Sequence, residues 1–105
     1  MSQIKCTPCN SSDVPMKSEL ARDKLKNLNN WNLTQDGKKI TKDFQFKDFL
    51  TTLDFVNKIG NIAENQGHHP DIYFTWGKCT ITIYTHKING LHENDFILAS
   101  KIDQL

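Results

Sequence analysis

At 105 residues with a formal net charge of +1, the chain fits one domain that can bury a core with little to spare. The near-neutral balance supplies no broad field to recruit nucleic acid or an anionic membrane, and no run of about 18 apolar residues exists to span a bilayer. The opening stretch, Met1 to Cys9, carries no apolar signal core, so a soluble cytoplasmic protein is expected.

Residues 1–15 read as an irregular lead-in, punctuated by Pro8, Asn10-Ser11-Ser12 and Pro15, and residues 16–105 as the single folded domain. Cys6-x-x-Cys9 has zinc-ligand spacing, but Cys79 is the one other cysteine and a structural zinc takes four ligands. An odd cysteine count also argues against a disulfide framework. The pair is therefore expected to be a surface feature of the tail without a catalytic role.

A first helix is expected from Ser18, with that residue as N-cap, a partial stripe of Leu20, Leu25 and Leu28, and an end at Asn29-Asn30. Trp31 and Leu33 begin a short strand, and Gln35 to Lys38 form a turn. Ile40 to Phe46 alternates, with Ile40, Phe44 and Phe46 on one face. The longest periodic segment, Lys47 to Gln66, is a helix whose apolar stripe is broader than one sheet face needs. Either a partner subunit or the other two helices could cover the excess. Gly67 suits the residue just past the helix end.

A hairpin follows. Taking Gly77-Lys78 as a two-residue II′ loop puts Trp76 opposite Cys79, Phe74 opposite Ile81 and Ile72 opposite Ile83. One face then carries Ile72, Phe74, Trp76, Cys79, Ile81 and Ile83, and the other Asp71, Tyr73, Thr75, Thr80, Thr82 and Tyr84. The same register places His69 opposite His86, with Cβ atoms roughly 5 Å apart. Residues 93–104 form a last helix with Phe96, Ile97, Ala99 and Ile102 for burial. The order helix, two strands, helix, two strands, helix is an α+β arrangement.

His68, His69 and His86 thus converge at one corner near Glu64. Three imidazoles would suit a catalytic zinc with an open position, although neighbours on an extended backbone point apart. They would also suit acid–base catalysis, because imidazole gives and takes protons near neutral pH. The plain alternative is hydrogen-bonded structural or surface histidines.

Glu64-x-x-x-His68-His69-Pro70, followed by Thr85-His86, Gly90-Leu91 and Asp95, resembles the pterin-4a-carbinolamine dehydratase family. The likeness covers nearly the whole chain, including Trp31, Phe46-Lys47-Asp48-Phe49 and the segment from Asp95-Phe96 to Ile102-Asp103. Many bacterial and plant members also carry an N-terminal Cys-x-x-Cys. The resemblance implies a four-stranded antiparallel sheet with three helices packed on one face, in a homodimer or homotetramer. It implies dehydration of 4a-hydroxytetrahydropterin to quinonoid dihydropterin, with no metal and no organic cofactor, recycling the pterin used by aromatic hydroxylases. His68, His69 and His86 match the catalytic histidines. His68 and His86 are expected as acid–base groups, and His69 as a group that orients the pterin. Asp95 is expected to support them, with Glu64, Trp31 and Pro70 at or near the pocket. Two positions depart from the pattern: Ile72 replaces a frequent aromatic residue, and His92 replaces the usual Ser or Thr, which removes a good N-cap. Other proteins of this fold act as transcriptional coactivators or assembly factors, the rival to an enzymatic role.

Overall fold

The computed structural model describes Cys6, Thr7 and residues 13–105. Cys9 lies outside the described residues, as does most of the lead-in around it. The described chain runs α1 (Ser18–Leu25), β1 (Asn32–Leu33), β2 (Ile40–Gln45), α2 (Phe49–Gln66), β3 (Asp71–Thr75), β4 (Lys78–Ile83) and α3 (Glu93–Asp103), with a 3-10 turn at His86–Ile88. The four strands form one antiparallel sheet in the order β1-β2-β4-β3. The expected α+β fold with three helices and four strands is the one observed.

The alternation read along β4 is realised in burial. Cys79, Ile81 and Ile83 are fully buried, while Thr80, Thr82 and Tyr84 remain partly exposed. Ile40 of β2, Ile59 of α2, and Leu98, Ala99 and Ile102 of α3 complete this core, and Phe44, Phe55 and Phe74 pack against it. Burying one side chain of the Ile or Leu class contributes about 1.5–3 kcal/mol, so the helices are held mainly by the sheet's inner face. Trp31 is also in the core, and its indole N–H donates to the Asp103 carboxylate, 3.0 Å to each oxygen. Lys42 reaches the same carboxylate at 2.8 Å. Trp31 therefore ties the start of β1 to the end of α3.

Several expected boundaries move. Lys17, not Ser18, is the residue before α1, and its side chain makes no capping bond. The chain is instead anchored there by Met16 N–H donating to Leu91 O at 2.8 Å. Helix α1 stops at Leu25, and i to i−3 bonds carry the chain on to Leu28. Leu20 is half exposed, so Ala21, Leu25 and Leu28 supply the buried contacts instead. Helix α2 begins two residues later than expected because the Asp48 carboxylate caps it, accepting from Thr51 N–H at 2.7 Å. The Thr51 side chain, and then its N–H, hold the Asp48 carboxyl below its ordinary range.

The hairpin register is shifted by two residues. Phe74 pairs with Cys79, Ile72 with Ile81 and Asp71 with Thr82, so the loop is Trp76-Gly77. Gly77, the second loop residue, has φ +73°, whereas a II′ turn needs positive φ at the first. Phe46 N–H donates to Gly77 O at 2.8 Å, which continues the β2–β4 ladder through the loop and sets this register. A shift of two keeps every side chain on its face, which is why alternation alone could not separate the two registers. Trp76 is the exception. It sits in the loop and is 67% exposed rather than facing the core.

Candidate active site

The end of α2 delivers the first histidine. Gly67 adopts the left-handed conformation, φ 64°, which glycine reaches without penalty. Gly67 N–H donates to Glu64 O and His68 N–H to Ala63 O, the paired bonds of a Schellman motif. The motif turns the chain sharply, and His68 leaves the helix pointing toward the N-terminal turn of α3.

There His68 Nε2 lies 2.6 Å from Asp95 Oδ1. Asp95 is fully buried and His68 nearly so, at 0% and 11% side-chain exposure. The other carboxylate oxygen accepts from the Thr85 hydroxyl at 2.9 Å and from His92 N–H at 2.9 Å. With both oxygens engaged as acceptors, Nε2 carries the proton toward Asp95, which leaves Nδ1 as the acceptor nitrogen. His92, expected to leave α3 without a cap, caps it instead. Its Nδ1 accepts from Asn94 N–H at 3.0 Å, while Asp95 accepts from His92 N–H to complete a capping box. An imidazole nitrogen takes the acceptor place a hydroxyl would fill, which propensity arguments based on Ser and Thr overlook.

His69 and His86 are more open. His69 is more than half exposed, and its Nε2 is hydrogen-bonded to the Glu64 carboxylate. His86 begins the 3-10 turn, in a loop closed by Thr85 N–H to Gly90 O at 2.8 Å and anchored by buried Ile88. Its ring meets the Tyr84 ring edge-on, with centroids 4.3 Å apart, and its Nε2 lies 3.9 Å from Asp71 Oδ1. Exposed pairs of this kind contribute little to stability, about 0–1 kcal/mol, but they restrict where the rings point. His69 and His86 are not cross-strand partners. Pairing starts at Asp71, after Pro70, which has no N–H to give, and His86 has already left the sheet.

All three histidines nonetheless line one cavity of about 550 Å³, a volume typical of small-molecule sites. Its wall also includes Gln66, Gly67, Thr85, Lys87 and Asn94, together with Cys6 and Thr7. Of the other expected site residues, Asp95 lies behind His68, Glu64 holds His69, and neither Pro70 nor Trp31 lines the cavity. Trp31 is committed to Asp103. Gln66 and Asn94 were missed, and Thr85 was quoted in the motif without a role of its own. The one sequence signal for them was their adjacency to His86, Gly67 and Asp95. Cys6, expected on the tail surface, is instead docked at the cavity. Burial, and then the charge of Asp95, push its thiol above the ordinary value, with Lys101 pulling the other way. Burial alone pushes the Cys79 thiol up to about 11. Among the described residues, no three His, Cys, Asp or Glu side chains are placed to hold one metal ion.

The sequence profile described as "Pterin 4 alpha carbinolamine dehydratase" matches residues 14–105. The chain belongs to that family. It is 46% identical over 101 residues to a Methylococcus capsulatus protein named "Putative pterin-4-alpha-carbinolamine dehydratase", covering 96% of this chain and 89% of the relative. It is 48% identical over 100 residues to an Aromatoleum aromaticum protein of the same name, covering 95% and 89%. Among solved structures, the transcriptional coactivator/pterin dehydratase from Brucella melitensis superposes with a TM-score of 0.81 at 29% identity, covering 86% of this chain and 96% of that one. Family membership and the relatives' names support a dehydratase acting on a pterin carbinolamine.

Proposed function

We propose that this chain dehydrates 4a-hydroxytetrahydropterin to quinonoid dihydropterin and water by histidine acid–base catalysis. The C4a–O bond breaks, a proton is delivered to the departing oxygen, and a ring nitrogen gives up its proton as a C=N bond forms. Nothing is oxidised or reduced, so the site needs one proton donor and one acceptor. The observation that carries this reading is His68 in the wall of the cavity with Nε2 committed to buried Asp95. Such an anchor supports Nδ1 as the working nitrogen, held in place as general acid–base catalysis requires. His86 supplies the second proton-transfer group. His69, tied to Glu64 on the rim, orients the pterin. Half-exposed or more, Tyr73 on the edge strand, Trp76 in its loop and Leu50 on α2 support self-association of the same chain.

The test is stopped-flow dehydration of chemically generated 4a-hydroxytetrahydropterin. The wild-type chain is expected to accelerate it. Alanine at His68 or His86 should lower kcat by about 100- to 10,000-fold, and His69→Ala should mainly raise KM. No acceleration by the wild-type chain would sink the enzymatic reading in favour of a binding protein. Full activity without His68 or His86 would sink the assignment of roles.

A further inference from the structure

Part of the cavity wall comes from residues ahead of the segment that the family profile matches. The family match begins at residue 14, yet Cys6 and Thr7 line the cavity with the histidines. Both are held by several hydrogen bonds. Thr7 N–H donates to Asn94 Oδ1 at 2.9 Å, and Asn94 Nδ2 donates to Thr7 O at 2.6 Å. One side-chain amide thereby satisfies both backbone groups of Thr7, as a neighbouring strand would. Cys6 N–H donates to Gln66 Oε1 at 2.9 Å, and its thiol contacts Asn94 O at 3.6 Å. Asn94 is 2% exposed, and a buried amide is stable only with its donors and acceptor matched. Gln66 ends α2 and Asn94 lies in the first turn of α3, so the two clamps stand on the same two helix ends that bring His68 and Asp95 together. A second anchor lies further along, where Met16 bonds Leu91 and Pro15 packs so tightly on Gly90 that a Cβ there would come within 2.6 Å of it.

We propose that Cys6 and Thr7 form a substrate-facing wall of the histidine cavity, held by Asn94 and Gln66 as positioning residues, and that this wall sets the affinity for the pterin. The proposal rests on the dehydratase reading for its substrate class. The histidines and Asp95 do not depend on the wall for their own hydrogen bonds, so its loss should weaken binding and spare proton transfer. The wall also shields the Cys6 thiol from solvent.

The experiment uses the full chain with Thr7→Pro, which removes the N–H that Asn94 accepts, and with Asn94→Ala, which removes the amide. Thr7→Pro lies ahead of residues 13–105, so a matching thermal melt is expected to show that the domain is intact even where Asn94→Ala unfolds. Three readouts are taken: steady-state dehydration, equilibrium dialysis of 7,8-dihydrobiopterin as a stable isomer of the product, and the rate at which iodoacetamide alkylates Cys6, followed by mass spectrometry. The expected result for Thr7→Pro is a rise of about tenfold in KM and in the dissociation constant, kcat within about twofold of wild type, and alkylation faster by about tenfold. Cys6 alkylation in the wild-type chain as fast as in the variants would overturn the docked wall. Faster alkylation with unchanged dihydrobiopterin affinity would overturn its role in binding. A wild-type chain that fails to accelerate dehydration would refute the dehydratase reading separately, with dialysis and alkylation still deciding the wall.

Discussion

Asp95→Asn is the most informative single change, because it preserves shape and removes one acceptor. In the wild-type chain Oδ2 accepts from the Thr85 hydroxyl and His92 N–H, while Oδ1 faces His68 Nε2. The asparagine amide has one oxygen and one NH2. Placing NH2 at the Oδ2 position would set it against His92 N–H, a backbone donor that cannot adapt. The NH2 should therefore take the Oδ1 position and face His68, which can adapt by moving its proton from Nε2 to Nδ1. The nitrogen left for chemistry then becomes a donor rather than an acceptor. Every hydrogen bond is then kept but none is to a charged group, a difference of about 1–1.5 kcal/mol, or a fall of about 4–12 °C in Tm for a domain this size. Loss of a correctly protonated acid–base group should lower kcat by about 100- to 10,000-fold. The assays are stopped-flow dehydration on samples shown folded by circular dichroism, and nitrogen-15 NMR of the imidazoles to locate the proton. A folded Asp95→Asn protein that keeps wild-type kcat, or whose His68 still carries its proton on Nε2, would refute this reasoning.

Two further outcomes concern stability. His92→Ala removes the side chain that accepts from Asn94 N–H and should cost about 1 kcal/mol, seen as a fall of about 4–8 °C in Tm; an unchanged melt would mean the cap contributes nothing. Cys79 is fully buried, with its thiol pushed up to about 11. Because the unfolded chain ionises at about 8.5, the sign is unfavourable at high pH. Stability is whole below about pH 8.5 and declines as pH rises toward 11. Urea titrations should show that extra decline in wild type and not in Cys79→Ala; parallel pH profiles would contradict it.

The histidine motif, the Gly67 helix end, the two faces of the hairpin apart from Trp76, and buried Phe96, Ile97, Ala99 and Ile102 of α3 were legible in the sequence, because each follows from local chemistry or a short period; buried Leu98 was not picked out. The hairpin register was not. Moving the partners by two residues leaves both faces unchanged, and the deciding contact, Phe46 with Gly77, joins strands distant in sequence. The same limit hid the role of Trp31, which depends on Asp103 at the other end of the chain, and the docking of Cys6 on Gln66 and Asn94. It also misplaced His69 and His86 as cross-strand partners, when they only line the same cavity.

The amino-acid sequence by itself determined the order of elements, the inner face of the sheet and the histidines gathered at the candidate site, since periodicity and residue type are properties of short segments. The tertiary structure alone decided which nitrogen of His68 is free, what stands behind it and what closes the cavity around it. Those depend on Asp95, Thr85, His92 and Asn94 meeting the end of α2, and such meetings are settled only when distant segments pack together.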